Sequence, residues 1–319
     1  MRIRSAACVL ALCLCLTSCM PAASERNVES RAPAVPERLA LNEAGVPLLR
    51  VYDTESKSVK KMDAEAYLAG VLAGEMRSDW PMEALKAQAI LARTFVMQFV
   101  GEKTSKYQGA DISTDVSEAQ AYDAAGVNER VRQAVAETRG LVVCADGKLI
   151  HAWFHAHAGG ETELASVGLD YDKGDPAYIA PVDSPDSDKA PEGVKNWQAA
   201  FTAAAVEKAC SDAGVRTGPV ERIEIDERGA SGRVVRFQVN GKSVSAPALR
   251  IHLDASRLKS TLIDSVELQG GQVIFAGRGY GHGVGLSQWG AYALAEQGED
   301  AEAIIRHYFR GVEIVPMWN

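Results

Sequence analysis

The sequence predicts a mixed α+β fold, in which a helical hairpin packs on antiparallel sheet regions and a small β-rich region is inserted. Apolar residues recur at helical spacing over residues 63–96, whereas the alternation typical of strands dominates from residue 141 onwards. The chain has 319 residues, of which 47% are hydrophobic. It can therefore bury a substantial core without metal or disulfides, and global disorder is excluded.

The first 18 residues have the features of an export signal. Arg2 and Arg4 precede an apolar run over residues 6–16, which is too short to span a bilayer. The run ends in Leu16-Thr17-Ser18-Cys19, which is typical of a bacterial lipobox, in which the cysteine sulfur receives the lipid. An ordinary secretory signal that happens to contain cysteines is the alternative.

The lipoprotein interpretation divides the chain into three parts. Residues 1–18 are a lipoprotein signal peptide, residues 19–45 are a flexible tether, and residues 46–319 are the folded domain. We then expect an exported protein that is anchored to a membrane through lipidated Cys19 and faces the periplasm or the cell wall.

Charge and cysteine content exclude some classes of protein. The 34 basic residues against 42 acidic ones give a net charge of −8, which disfavours nucleic acid as a partner. Of the six cysteines, three leave with the signal peptide and Cys19 carries the lipid. Only Cys144 and Cys210 remain, so one disulfide could form but a disulfide scaffold could not.

The folded domain begins with two short strands, at 46–52 and 58–60, and continues as a helix. Asp63 is a suitable N-cap, and Leu68, Val71, Leu72 and Glu75 follow at the spacing of one helical face. A carboxylate thus stands where the pattern calls for an apolar residue.

A second helix is predicted through residues 83–96, with Asp79 as its cap and Pro81 in its first turn. Its small alanines favour close packing against the first helix. The two helices form a hairpin that places Glu75 close to the connecting turn.

Glu75 is the candidate acid/base. A carboxyl on an apolar helical face is partly desolvated, which raises its pKa and lets it donate a proton near neutral pH. The alternative is a glutamate at a helix end that pairs with Arg77 or Arg93 in solvent.

Residues 141–158 alternate as a β-hairpin does, with the turn at Asp146-Gly147. On the second strand the residues of one parity share a face: His151, Trp153, His155 and His157. With Cys144 near by, the three histidines are ligand types suited to zinc, although their spacing matches no closed zinc motif. A zinc ion there and ordinary histidines on a strand both stay open.

A β-rich accessory region is predicted at about 195–265, and a glycine-rich segment follows at 277–290. The glycine spacing is not that of a phosphate-binding loop. Glycines let a backbone approach an extended ligand, and Tyr280, His282 and Gln288 offer the ring faces and hydrogen bonds that a sugar needs. A glycine-rich turn with a purely structural role is the alternative.

Three signatures of this chain, taken together and in this order, resemble the SpoIID/LytB family, named after stage II sporulation protein D and an amidase enhancer. The resemblance covers about residues 48–315 and is most specific in the last signature. The three are Tyr67-Leu68 through Glu75-Met76 with 83–89 and 92–94; Phe154-His155 with Gly159-Gly160 and Thr162-Glu163; and Gly279 through Ala291.

The resemblance implies that the substrate is peptidoglycan and that the enzyme is a lytic transglycosylase, which leaves 1,6-anhydro ends on the glycan. It places the catalytic glutamate on Glu75. The residues expected to bind substrate are Gln88, Arg93, Tyr280, His282, Ser287 and Gln288. Some relatives hold zinc near Phe154-His155. This chain has Ala156 and Ala158 where relatives usually carry Ser, Thr or Cys. The resemblance therefore implies an enzyme that requires no cofactor.

The rival function is a non-catalytic peptidoglycan-binding protein that enhances a cell-wall amidase, as the second family name suggests. Both functions use one cleft, so the fold does not separate them. Glu75 favours the enzyme, because a sugar binder gains little from a desolvated acid.

Overall fold

The computed structural model describes residues 33–319. The predicted signal peptide and the predicted lipidation site, Cys19, lie outside the described residues. Within residues 33–319, no helix combines the length and the hydrophobicity needed to cross a bilayer.

Helices and strands alternate irregularly along the chain, as the prediction of a mixed α+β fold requires. The strands are β1 (Leu48–Asp53), β2 (Ser58–Asp63), β3 (Ile112–Ser113), β4 (Leu141–Ala145), β5 (Lys148–Leu149), β6 (Phe154–His155), β7 (Asn196–Thr202), β8 (Ile223–Arg228), β9 (Val234–Val239), β10 (Lys242–Ser245), β11 (Ile263–Gln269), β12 (Gln272–Arg278), β13 (Leu286–Ser287) and β14 (Glu313–Pro316). The helices are α1 (Ala64–Glu75), α2 (Met82–Glu102), α3 (Glu129–Glu137), α4 (Ala165–Gly168), α5 (Glu192–Lys195), α6 (Ala203–Asp212), α7 (Ala246–Leu253), α8 (Gln288–Glu296) and α9 (Ala301–Tyr308).

The helical hairpin of α1 and α2 forms as predicted, with one correction at its turn. The Asp63 side chain caps α1 by accepting a hydrogen bond from the Ala66 N–H at 2.8 Å. Asp79 does not cap α2, because α2 begins at Met82 and the Asp79 carboxylate pairs with Arg77 instead, at 2.7 Å. Pro81 takes the N-cap position without a side-chain hydrogen bond.

Two small sheets flank the hairpin. In the first, β1 lies between β2, to which it is antiparallel, and β3, to which it is parallel. In the second, β4 lies between β5 and the C-terminal strand β14. The main apolar core fills the space between the hairpin, α3, α8 and α9.

The accessory region has an apolar core of its own. Its sheets have the strand orders β10-β9-β8 and β11-β12-β7, and α6 and α7 contribute further buried residues. Phe201, Phe237 and Phe275 meet at its centre, with ring centroids 5.9 to 6.1 Å apart for the two pairs that Phe275 makes. The sequence placed this region at about 195–265, and β12 extends it to Arg278.

The hairpin predicted at 141–158 forms only in its first part. Asp146 and Gly147 make the predicted turn, both with positive φ, but the second strand ends at Leu149. A tight turn follows, in which the Trp153 N–H donates to the His151 carbonyl at 2.8 Å. The single face predicted for His151, Trp153, His155 and His157 is therefore wrong, because this turn rotates the chain between the two halves.

Part of the segment that the sequence assigned to the tether contains a buried residue. Within residues 33–45, which the sequence assigned to the tether, Leu39 is buried in an apolar cluster together with Val46 and Leu49.

Cys144 on β4 and Cys210 on α6 are both buried free thiols. Burial raises the pKa of each thiol to about 11.

Candidate active site

The Glu75 carboxyl lies half-buried at the C-terminal end of α1. Its Oε1 accepts a hydrogen bond from the Ala121 N–H at 2.7 Å. Loss of water on burial raises the pKa of Glu75, and the Ala121 N–H only partly opposes that rise. Neither arginine considered above pairs with it, because Arg77 pairs with Asp79 and Arg93 with Glu65.

The glycine-rich segment 279–290, hereafter the glycine loop, contacts the same end of α1. The Gln288 side-chain amide donates from Nε2 to the Glu75 backbone carbonyl at 3.2 Å. Gln288 is also the first residue of α8, so the start of that helix is fixed beside Glu75. Two features that the sequence predicted separately thus lie together.

An aromatic cluster that the sequence analysis missed lies next to this contact. The Trp80 ring, in the turn between α1 and α2, is 4.4 Å from the Trp289 ring, and Tyr292 packs edge-on against Trp80 at 5.2 Å. Trp289 follows Gln288 directly in the chain, and Trp80 lies five residues after Glu75. A tryptophan directly after Gln288, and another in the turn that follows Glu75, were the available signal.

Glycine is required at two positions of the loop for a steric reason. Gly283 and Gly285 have φ values of 82° and 69°. A Cβ at Gly283 would lie 2.1 Å from Nε of Arg233, and one at Gly285 would lie 2.2 Å from the Trp153 carbonyl oxygen. These glycines therefore permit close packing of the loop against its support.

The accessory region supplies much of that support. The Trp197 indole N–H donates to the Gly279 carbonyl at 2.9 Å, and the Gly281 N–H donates to the Lys259 carbonyl at 2.8 Å. The fully buried Arg233 donates from Nη2 to the Ala158 carbonyl at 2.5 Å. The loop is thus held in place by the insertion as well as by α1.

A buried carboxylate, Asp186, connects the glycine loop to residues 157–160. Its Oδ1 accepts hydrogen bonds from the hydroxyls of Ser287, at 2.5 Å, and Ser184, at 3.0 Å. Its Oδ2 accepts from the Gly159 N–H at 2.8 Å and lies 3.3 Å from Nδ1 of His157. The sequence analysis did not single out Asp186.

We expect Asp186→Asn to loosen the glycine loop. One acceptor oxygen becomes an amide NH₂ that faces donors, and an unsatisfied buried donor costs about 1–3 kcal/mol. Urea unfolding should therefore show a loss of about 2 kcal/mol. Asp188→Asn, two residues along the same loop, is the control; equal losses in both variants would contradict the role of Asp186.

His282 is a neutral hydrogen-bonding group. Burial of its ring, aided by Arg250 and Arg233, lowers its pKa to about 3. Its Nδ1 accepts a hydrogen bond from the Val284 N–H at 3.0 Å, so the ring proton is on Nε2. The His155 ring lies 5.5 Å away, centroid to centroid.

The three histidines proposed for zinc have separate partners. His151 bonds through Nδ1 to the Gln98 amide at 2.7 Å and through Nε2 to the Tyr171 hydroxyl at 3.2 Å. Nδ1 of His155 bonds to the Val284 carbonyl, and His157 lies against Asp186. In the described part of the chain, no group of three His, Cys, Asp or Glu side chains is placed to hold a metal ion. The residues therefore do not fit a zinc site.

Three residues expected to bind substrate are fully buried. Gln88 and Arg93 are fully buried in α2, and Arg93 forms a bidentate pair with Glu65. Ser287 is also fully buried, because it caps α8 and bonds to Asp186. Both polar atoms of the Gln88 amide are buried without a partner among the described residues.

Tyr280 is half-buried near the start of the glycine loop, whereas Gln288 lies near its end. Its backbone exchanges two hydrogen bonds with His157, at 2.9 and 3.0 Å. The Lys259 ammonium lies 5.8 Å from the centre of its ring. The loop thus connects Tyr280, His282 and Gln288, of which Gln288 is the one that contacts Glu75.

Comparison with known proteins gives two family matches. Residues 52–144, which include the helical hairpin, match the family described as Stage II sporulation protein. Residues 183–285, which include the accessory region, match a domain of unknown function.

Relatives extend over most of the chain. A stage II sporulation protein D from Bacillus amyloliquefaciens is 31% identical over 278 residues, which is 83% of this chain and 77% of the relative. An uncharacterised protein from Brachyspira hyodysenteriae is 31% identical over 81% of this chain and 68% of its own. An amidase enhancer from Bacillus subtilis is 27% identical over 77% of this chain and 40% of its own length.

An identity of 31% over more than two thirds of a relative, together with the family match over the helical hairpin, establishes membership of a family. The chain belongs to the SpoIID/LytB family of stage II sporulation protein D and the amidase enhancer.

Proposed function

We propose that this protein cleaves the glycan strands of peptidoglycan as a lytic transglycosylase, with Glu75 as its general acid/base. The observation that carries the proposal is that the Glu75 carboxyl is half-buried with a raised pKa, on a residue whose backbone carbonyl contacts Gln288 of the glycine loop. Such a carboxyl can be protonated when the substrate arrives. The names of the relatives connect the family with sporulation and with amidase enhancement, which is consistent with work on the cell wall.

The proposed reaction needs one carboxyl. Protonated Glu75 gives its proton to the glycosidic oxygen, and the bond from that oxygen to C1 of the muramic sugar breaks. The Glu75 carboxylate then takes the proton of the sugar's own C6 hydroxyl, whose oxygen bonds to C1. Glu75 ends protonated, no water is consumed, and the product carries a 1,6-anhydro ring. A second carboxylate, as hydrolysing glycosidases use, is unnecessary.

The glycine loop and the aromatic cluster position the sugar. Gln288 contacts the Glu75 backbone carbonyl, and neutral His282 lies on the same loop. Trp289 is partly exposed and packs on the buried Trp80, so its ring can offer a face to the sugar. We assign Tyr280 to the same task from its place on the loop. Arg93, through Glu65, and Ser287, through Asp186, act in this proposal by holding these elements rather than by touching the glycan.

We also propose that Cys19 carries a lipid, so that the enzyme works at a membrane surface facing the periplasm or cell wall. Two acyl chains stabilise membrane attachment by about 0.8 kcal/mol per buried methylene. Globomycin, which blocks cleavage of lipoprotein signals, should then cause an unprocessed form to accumulate. Processing that continues in its presence would favour an ordinary secretory signal.

The experiment that tests the reaction is mass spectrometry of products from two substrates, intact peptidoglycan and peptidoglycan stripped of stem peptides by an amidase. Release of sugars with 1,6-anhydro ends from either substrate supports the proposal. The substrate that is cleaved faster shows whether the stem peptides must be removed first. Reducing ends without the anhydro ring would indicate a hydrolase and would contradict the proposed mechanism.

The second candidate is a wall-binding enhancer of a partner amidase, favoured by the similarity to the amidase enhancer of Bacillus subtilis. It predicts that the protein alone releases no sugar but raises the rate of an added amidase. It also predicts that Glu75→Gln leaves this enhancement intact. Those two results together would replace the transglycosylase proposal.

We expect the pH profile to report the raised pKa of Glu75. The general acid must be protonated, so kcat/KM should fall as the pH rises through that pKa. Because burial raises the pKa above the ordinary 4.5, the alkaline limb should lie above that value. Asp79→Asn, an exposed carboxylate on the same turn, should leave the limb in place. A limb at or below pH 4.5 would argue against Glu75 as the acid.

A further inference from the structure

A second cavity, which we name the distal pocket, lies at the C-terminal end of α2. Its volume is about 270 Å³, and its wall is unusually rich in rings. The aromatic side chains that line it are Phe95, Phe99, His151, Trp153 and Tyr171. Trp153 stacks on His151 with centroids 4.9 Å apart and planes 18° apart, and Tyr171 packs edge-on against Trp153 at 5.2 Å.

The distal pocket is separate from the candidate active site. In the hairpin, Glu65 at the start of α1 pairs with Arg93 of α2. Glu75 lies ten residues after Glu65, at the end of α1 that faces the connecting turn. Gln98 lies five residues after Arg93 on α2, in the direction away from the connecting turn. At 1.5 Å per residue, the two sites are about 22 Å apart along the hairpin.

Polar groups accompany the rings. The Gln98 amide bonds to His151 at 2.7 Å, and the Tyr171 hydroxyl bonds to the other ring nitrogen at 3.2 Å, so these groups are held in fixed positions. Glu102, Lys103 and Lys173 are the charged residues of the wall. One carboxylate with two ammonium groups leaves a net positive charge, which disfavours a cationic ligand.

The distal pocket is open at one side. It shares five residues with an adjoining cavity of about 1400 Å³, which continues along the surface past Pro36 and Arg310. The shared residues are Gln98, Glu102, His151, Tyr171 and Lys173. A ligand with one ring in the distal pocket could therefore extend into the larger cavity, as a polymer requires.

We infer that the distal pocket binds an N-acetylated sugar of a glycan strand, away from the cleavage site. The ring faces accept the C–H groups of a pyranose, and the amide, phenol and carboxylate accept or donate hydrogen bonds to its hydroxyls. This inference rests on the proposed function, because it supposes that the same glycan is held at both places. Two contacts on one strand raise the effective concentration of substrate at Glu75.

The test uses the Glu75→Gln protein, so that glycan is bound but not cut, with chitotetraose, four N-acetylglucosamine units, as the probe. The chain has five tryptophans, and NMR resolves one indole N–H signal for each. Single Trp→Phe variants assign them. We expect saturable shifts of the Trp153 signal from the distal pocket and of the Trp289 signal from the active site, while the buried Trp318 stays unchanged.

The two failures are distinguishable. A Trp289 shift without a Trp153 shift would overturn the distal site and leave the proposed function standing. A shift of neither signal would mean that the glycan does not bind at all, which would contradict the proposed function as well.

A second measurement tests the avidity. On amidase-treated peptidoglycan, Tyr171→Ala in the Glu75→Gln background should weaken retention about tenfold, because one of two contacts is lost. Tyr107→Ala is the matched control, since Tyr107 stacks on Tyr52 at 3.9 Å on another surface. Unchanged retention for Tyr171→Ala, with its thermal midpoint also unchanged, would overturn the inference.

Discussion

Glu75→Gln should reduce the release of 1,6-anhydro sugars by about 10²- to 10⁴-fold, which is the usual contribution of a general acid/base. Glutamine keeps the size of the side chain and an oxygen that can accept from the Ala121 N–H, so the end of α1 should keep its conformation. What it loses is the proton needed by the leaving group. Retention on amidase-treated peptidoglycan should therefore be unchanged, and kcat should fall while KM does not rise.

Asp79→Asn is the matched control for this substitution. Asp79 lies four residues from Glu75 and is also a carboxylate, but it is exposed and pairs with Arg77. Its rate of sugar release should equal that of the unaltered protein. If Glu75→Gln retained full activity, or if both variants lost activity equally, Glu75 would not be the acid/base and the wall-binding enhancer would become the better proposal.

The sequence predicted those parts of the fold that depend on local patterns. The α1–α2 hairpin follows from helical periodicity and from the Asp63 cap, and the strands of the accessory region follow from alternation between glycine turns. Glu75 stood out because it interrupted an apolar face. Its contact with the glycine loop joins residues 213 positions apart, so the hydrophobic pattern alone could not show it.

The remaining features depend on tertiary partners. His151 and His157 share parity in the sequence, but a turn at 151–153 directs them to different places. Asp186 was unremarkable in a polar loop until folding surrounded it with donors from residues 157–160 and from Ser287. The family resemblance implied that Arg93 binds substrate, and the structure buries its side chain completely.

The burial of Arg93 leads to the largest effect that we expect on stability. Its guanidinium has no exposed surface and donates to both carboxylate oxygens of Glu65, at 2.7 and 3.2 Å, and to the Leu141 carbonyl at 3.1 Å. Glu65 Oε1 also accepts from the Gly140 N–H and from the Trp318 indole. The pair therefore connects both helices of the hairpin to the C-terminal end of the chain.

Glu65→Leu should lower the free energy of unfolding by about 3–5 kcal/mol, because it leaves the Arg93 charge buried without its partner. Arg93→Met should be destabilising too, and the double variant should recover much of the loss, because no unpaired charge remains. Urea unfolding of the four proteins gives the coupling energy of the pair. Arg77→Ala, which breaks an exposed pair on the neighbouring turn, should cause no measurable change. Purely additive losses at 65 and 93 would show that the two charges do not stabilise each other.

If Arg93→Met instead kept full stability and lost only glycan binding, then Arg93 would be a substrate ligand after all. That role would require α2 to move enough to expose it.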